Sequence, residues 1–176
     1  MSEKMQNNSP VRILGIDPGY DRLGLAVIEI AGGKDALVAS TCVVTSRKNS
    51  PAERLLAIGK TVREFLEEFE PHLLVMESLF FANNKNTALG VAEARGVVMY
   101  LAAQKNIPCF EMTPPEIKLA VAGSGRADKA AVEKMVRLLV KLPEKKQKEK
   151  YLDDEIDAIA VALSGRSKVR EVFHNK

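Results

Sequence analysis

The sequence predicts an α/β domain with a central mixed sheet of five strands flanked by helices. Two patterns predict it. Near the N-terminus three apolar, β-branched runs follow closely on one another and are separated by tight turns, which reads as an antiparallel meander. Downstream the order becomes helix, strand, helix, strand and then helices, and the two patterns together fit a mixed sheet.

Taken in order, Arg12 to Asp17 is a short strand broken by Pro18-Gly19. Leu23 to Ile30 resumes as a second strand and stops at Gly32-Gly33, and Ala36 to Thr45 makes a third. Ser50-Pro51-Ala52-Glu53 is a helix start, with Ser50 as cap, Pro51 in the first turn and Glu53 three residues after the cap. Leu55, Leu56, Ile58, Val62, Phe65, Leu66 and Phe69 continue at near-helical spacing until Pro71. Leu73 to Glu77 is the fourth strand and Ala88 to Lys105 the second helix. Ile107 to Met112 is the fifth strand, followed by helices over Pro114 to Ala122 and Lys129 to Val140, and by a closing helix ending near Leu163.

The chain has 176 residues, 46% hydrophobic and 28% charged, which suits one soluble globular domain and argues against wholesale disorder. Residues 1–10 read as a flexible leader, 11–166 as the single domain and 167–176 as a C-terminal tail. A formal charge of +3 permits a polyanionic partner without requiring one. Cys42 and Cys109 lack the spacing of a zinc site or a disulfide framework and are expected as buried free thiols. The leader lacks the apolar stretch of a secretory signal and no run approaches a membrane span, so a cytoplasmic location is expected. The Lys/Glu-rich stretch 141–150 reads as a solvated loop, with phosphate contact as the alternative.

Chemistry enters through acidic residues at the edges of apolar runs. Asp17 ends Val11-Arg12-Ile13-Leu14-Gly15-Ile16, Glu77 ends Leu73-Leu74-Val75-Met76, and Asp154 and Asp157 open the last apolar helix. Asp17 alone reads as a turn-former in Asp-Pro-Gly, whereas Glu77, directly after Leu-Leu-Val-Met, is too near the core for a casual surface residue, with a strand-end salt bridge as the alternative. Asp153 or Asp154 would serve as a helix cap, and spacing does not decide which of the two partners Asp157. Gathered by a fold, these acids would lose hydration and repel one another unless a proton or a cation compensates. Oxygen donors without His or Cys select Mg²⁺ or Mn²⁺, and carboxylate pairs hold two such ions about 4 Å apart for displacement at phosphorus. That chemistry is phosphodiester hydrolysis.

Six segments carry a resemblance. Ile13-Leu14-Gly15-Ile16-Asp17-Pro18-Gly19, Glu77-Ser78-Leu79-Phe80, Ala92-Glu93-Ala94-Arg95-Gly96, Pro115-Glu116-Ile117-Lys118, Gly123-Ser124-Gly125-Arg126-Ala127-Asp128-Lys129 and Asp154-Glu155-Ile156-Asp157-Ala158 occur in the order seen in the RuvC family. These are bacterial Holliday junction resolvases with a ribonuclease H-like fold, and the likeness runs from about Arg12 to Leu163. It implies a homodimeric endodeoxyribonuclease that nicks two opposing strands of a four-way DNA junction symmetrically and leaves 5′-phosphate and 3′-hydroxyl ends. Mg²⁺ is the implied cofactor, with Mn²⁺ as a substitute and two ions per site, and a RuvA–RuvB branch-migration complex is the implied partner.

On that resemblance Asp17, Glu77, Asp154 and Asp157 match the metal-binding acids, which favours Asp154 over Asp153. Lys118, otherwise an exposed helical lysine, matches a lysine near the scissile phosphate and is expected to stabilise charge in the transition state. Arg126 and Lys129 are expected on the phosphate backbone, with a mere flexible turn as the alternative for Gly123-Ser124-Gly125. Phe80 matches a base-stacking aromatic near the junction centre, and Phe81 is expected to pack. The small residues of the helix from Ala88 suit a close isologous contact, which Arg95 would serve unless it serves DNA. Glu155 departs from the family pattern of small residues and is expected to face solvent.

Two other classes fit part of the pattern. Gly15-Ile16-Asp17-Pro18-Gly19 resembles one phosphate loop of actin-like or sugar-kinase phosphotransferases, which need two such domains. A non-catalytic junction-binding protein would use Lys118, Lys129 and Phe80 but would gain nothing from carboxylates beside a phosphate.

Overall fold

The structure, a computed structural model, describes residues 9–78, 85–143 and 150–174. Its five strands are β1 (Val11–Asp17), β2 (Arg22–Ala31), β3 (Lys34–Val44), β4 (Leu73–Glu77) and β5 (Cys109–Met112). They form one sheet in the order β3-β2-β1-β4-β5. β1, β2 and β3 pair antiparallel as the meander the turns predict, whereas β4 lies parallel to β1 and β5 parallel to β4. The sheet is therefore mixed, as expected.

Helix α1 (Pro51–Phe69) starts as its sequence dictates. The Ser50 side chain accepts from the Glu53 backbone, and the Glu53 carboxylate accepts from Ser50 N at 2.7 Å. Its end is marked by Glu70 in the left-handed region, φ 43°, ahead of Pro71. The same reciprocal cap, Thr113 with Glu116, opens α3 (Pro114–Ala122).

Helix α2 (Lys85–Gln104) begins three residues earlier than its apolar periodicity indicates, because polar Lys85-Asn86-Thr87 carry no amphipathic signal. β5 is two residues shorter than expected. Pro108 has no N–H to give to a ladder, and its carbonyl instead accepts from Leu74 N at 2.9 Å.

Alternation along the strands sorts side chains to two faces. Leu14, Ile16, Leu23, Leu25, Val27, Leu74 and Met76 pack with Ile58, Val62 and Leu66 of α1 and with Ala94, Val98 and Leu101 of α2. Ile13, Ala26, Ile28, Leu73 and Val75 face α3, α4 (Lys129–Leu139) and α5 (Asp153–Ser164). The result is three layers with the sheet in the middle. After α5 the chain makes a 3-10 turn (Gly165–Lys168) and a short helix α6 (Val169–His174), which the sequence reading did not anticipate.

Both cysteines are free, Cys42 half-buried and Cys109 exposed, so the expectation of two buried thiols is corrected. Cys109 opens β5, the edge strand of the sheet. Among the described residues no helix is long and apolar enough to cross a membrane.

Candidate active site

The parallel register of β1 and β4 sets Ile16 opposite Met76. The next residue on each strand is acidic, so Asp17 and Glu77 leave the same end of the sheet side by side. Asp17 also lies opposite Gly24 of β2.

The other two acids arrive from α5, and they get there because β1 and β2 lack side chains where that helix lies on them. A Cβ on Gly15 would stand 2.4 Å from the Ala158 carbonyl, and one on Gly24 would stand 2.0 Å from the Asp154 carbonyl. Backbone atoms cannot yield cheaply at such distances, so a side chain at either position would push the start of α5 off the sheet. Ala158 and Ala162 complete this close seat, and it lands Asp154 and Asp157 beside Asp17.

No aspartate caps α5. Leu152 is the residue at the helix start, and Glu155 reaches back to accept from Leu152 N at 3.0 Å while Ser40 Oγ donates to its other oxygen at 3.4 Å. Glu155 is only 2% exposed, which corrects the expectation that it faces solvent. The carboxylate between the two site aspartates serves the architecture of the helix start.

The turn after Asp17 is fixed from α1. Arg54, buried, stacks on the Tyr20 ring at 3.7 Å to its centroid, donates to the Tyr20 carbonyl and pairs with Asp21. Thr45 closes the same knot by donating from its hydroxyl to the Tyr20 carbonyl at 2.7 Å. Tyr20 in turn fills the space that Gly90 of α2 leaves open.

Electrostatics record the crowding. Burial, and then the charges of Asp157, Glu77 and Asp154, push Asp17 up from an ordinary 3.8 to about 7, with only Lys129 opposing. Glu77 is raised by burial and by Asp157, against Lys118 and Arg95, and Asp157 is raised by burial against Lys129. Two of the nearby cations are already engaged. Lys129 Nζ stands 3.2 Å from both Asp153 and Asp157, and Arg22 stands 3.6 Å from Asp154. Among the described residues no group of three or more His, Cys, Asp or Glu side chains is set to hold a metal ion in the geometry observed.

The crowding has a pH signature. Between pH 4 and 7 folded Asp17 retains a proton that the unfolded chain has lost, so stability falls as pH rises through that window, with roughly 2–3 kcal/mol of the loss above pH 5. Glu77 and Asp157 act in the same direction. In chelator the urea midpoint is expected to fall from pH 5 to pH 8 and the slope to flatten in Asp17→Asn. A wild-type midpoint that rises over that range contradicts the clustering.

Beside the acids opens a cleft of about 260 Å³ lined by Glu77, Asp157, Lys118, Lys129, Pro114, Ile117 and Val132. Lys118, on α3, therefore shares a wall with two of the acids. Lys129 does too, but through an ion-paired ammonium rather than a free one. Arg126 is exposed in the turn before α4, where the Asp128 side chain caps the helix by accepting from Ala131 N at 2.8 Å. Phe80, Phe81 and positions 144–149 of the charged loop lie outside the described residues.

Comparison with known proteins decides the lineage. The family model described as crossover junction endodeoxyribonuclease RuvC matches residues 13–165. The chain belongs to the RuvC family. A RuvC of Thermotoga maritima is 41% identical over 169 residues, covering 94% of this chain and 98% of that one, and a RuvC of Roseiflexus is 43% identical over 152 residues, covering 86% and 88%. Among solved structures, Thermus thermophilus RuvC in complex with a Holliday junction substrate superposes with a TM-score of 0.83 at 33% identity, covering 92% of this chain and 96% of that one. The ribonuclease H-like fold and the junction-resolving endodeoxyribonuclease activity expected from the RuvC motifs both stand on these matches.

Sequence reasoning misses Arg22 and Arg54, and it offers Arg95 only a subunit contact or DNA. For two of these a signal was available. Arg54 falls one turn before Ile58 and two before Val62, and Arg95 three residues before Val98, so each occupies the buried stripe of its helix. A charged residue on an apolar stripe marks a structural ion partner. The earlier alternatives for Arg95, a subunit contact or DNA, both give way to burial at 6% exposure against Glu77 and Glu111.

Proposed function

We propose that Asp17, Glu77, Asp154 and Asp157 form a Mg²⁺ site, two ions when filled, at which this RuvC-family chain hydrolyses phosphodiesters in two opposing strands of a four-way DNA junction. The observation that carries the reading is the convergence of four carboxylates from β1, β4 and α5 at one end of the sheet's central strands, beside a cleft that also holds Lys118. The donor set suits a hard divalent cation, since it offers only carboxylate oxygens, and the raised Asp17 marks a site short of positive charge. A bound divalent cation supplies Lewis acidity toward the phosphate and makes water a nucleophile at neutral pH.

The protein's own residues supply the rest. Asp17 must give up its proton before it ligates, which the raised value makes the pH-sensitive step. Lys118 presents an ammonium to the phosphate as negative charge accumulates on it. Lys129 holds Asp157, and its exposed position together with Arg126 suits the DNA backbone on either side. Water displaces the 3′ oxygen in line, leaving a 5′-phosphate and a 3′-hydroxyl.

Symmetric cutting needs two sites. Leu89, Ala92, Glu93, Gly96, Met99 and Tyr100 form an exposed, mainly apolar and small stripe at helical spacing on α2, which suits an isologous homodimer contact. A substrate of chromosomal DNA fits action in the cytoplasm.

The test is a synthetic junction labelled on each strand in turn, incubated with the chain and Mg²⁺. Nicks at symmetric positions in two opposing strands, with ligatable ends, are the expected result. A junction that is bound but never cut in Mg²⁺ or Mn²⁺ overturns the proposal in favour of a non-catalytic binder.

A further inference from the structure

We infer that Arg95 is a positioning residue for the nuclease site, holding the peptide that follows the Glu77 side chain. The inference rests on the reading of Glu77 as a metal-holding acid.

Arg95 lies among the apolar residues of α2, between Ala94 and Val98, and is 6% exposed. A guanidinium withdrawn from water persists only where its N–H groups find acceptors. Nη1 donates to the Glu77 carbonyl and Nη2 pairs with Glu111 of β5 at 2.8 Å. Glu111 is opposite Met76 in the β4–β5 ladder, so it anchors the guanidinium beside the end of β4.

The Glu77 carbonyl and the Ser78 N–H belong to one peptide unit. The Ser78 N–H donates to the Met112 carbonyl at 2.9 Å, and the Glu77 carbonyl accepts from Arg95. That peptide plane is thus held from both of its ends, by β5 on one side and α2 on the other. Fixing the plane fixes the backbone torsion at Glu77 and with it the direction of the Cα–Cβ bond that carries the carboxylate. Sites of this kind tolerate only small displacements of their ligands. Arg95 also ties the middle of α2 to the end of β4, 18 positions back in the chain.

Arg95 is buried and does not line the cleft, so its effect must pass through Glu77. Supporting groups of this kind change metal affinity by about 10–100-fold when lost. Mn²⁺ binding to the DNA-free protein, followed by loss of the free-ion electron paramagnetic resonance signal, reads that affinity without relying on activity. Arg95→Met is expected to fold, to bind Mn²⁺ about tenfold more weakly and to nick junctions slowly unless metal is raised. Arg95→Lys, which keeps a donor for the carbonyl, is expected to recover most of the affinity, and Asp17→Asn to lose it.

A folded Arg95→Met with wild-type Mn²⁺ affinity, beside a loss in Asp17→Asn, overturns the inference alone, since a purely structural residue would lower the melting temperature and leave metal binding unchanged. Wild-type affinity in Asp17→Asn overturns the metal-site reading and this inference with it. Should Arg95→Met fail to fold, Glu111→Gln decides: weaker Mn²⁺ binding supports the clamp, and unchanged binding overturns it.

Discussion

Asp17→Asn is expected to nick a four-way junction roughly 10³-fold more slowly than the wild type, to bind the junction as tightly, and to melt at a higher temperature in chelator at pH 8. The two changes have one cause. Asp17 is the most strongly perturbed acid of the site, raised to about 7 by burial and by three neighbouring carboxylates. At pH 8 its ionised form works against folding. Asn removes the charge and keeps the shape, so the metal-free fold gains stability while the site loses its central ligand. Each raised pKa unit is worth about 1.4 kcal/mol, and a gain of roughly 1–3 kcal/mol is expected once the remaining acids relax. A structural Asp17, pinned in the Asp-Pro-Gly turn, would behave in the opposite way, with stability and activity falling together. Thermal melts in chelator, set beside single-turnover nicking rates, separate the two.

Lys118→Met is expected to carry the second largest loss, about 10²-fold in the nicking rate constant, with junction affinity nearly unchanged. Lys118 lines the cleft with Glu77 and Asp157, and its ammonium lowers the Glu77 pKa from across that space. Electrostatic stabilisation confined to the transition state lowers the maximal rate and leaves binding alone. A lysine that only tethers the phosphate backbone would weaken binding and reduce its salt dependence while leaving the cleavage rate constant intact. Rates at saturating enzyme, with affinity measured separately in Ca²⁺, distinguish the two roles. Lys118→Arg is expected to recover part of the rate, since it keeps the charge and changes its placement.

The elements of this fold were legible wherever local chemistry decides them. Ser50 with Glu53 marked the start of α1, the Gly32-Gly33 turn separated β2 from β3, and Glu77 stood out because a carboxylate directly after Leu-Leu-Val-Met needs a reason. The features that stayed hidden depend on tertiary approach. Gly15 and Gly24 look like ordinary strand residues, and only the packing of α5 shows that they are the space in which that helix lies. Glu155 reads as a solvent-facing acid, since it adds charge between the two matched aspartates at a position where small residues are usual. It is buried because Leu152 N and Ser40 Oγ supply its donors, and Ser40 is 115 residues away. Lys129 is expected on the phosphate backbone, and its pairing with Asp153 and Asp157 stays hidden, since no spacing rule relates α4 to α5. β5 was drawn too long because Pro108 lies in an apolar run whose only ladder contribution is a carbonyl.

The central claim, that the gathered carboxylates are a metal-dependent nuclease site, is tested most directly by Glu77→Gln on a synthetic four-way junction in Mg²⁺. Wild-type chain is expected to nick two opposing strands, and folded Glu77→Gln to shift the junction in a binding gel at the same protein concentration without nicking either strand. Nicking by Glu77→Gln at the wild-type rate would contradict the account.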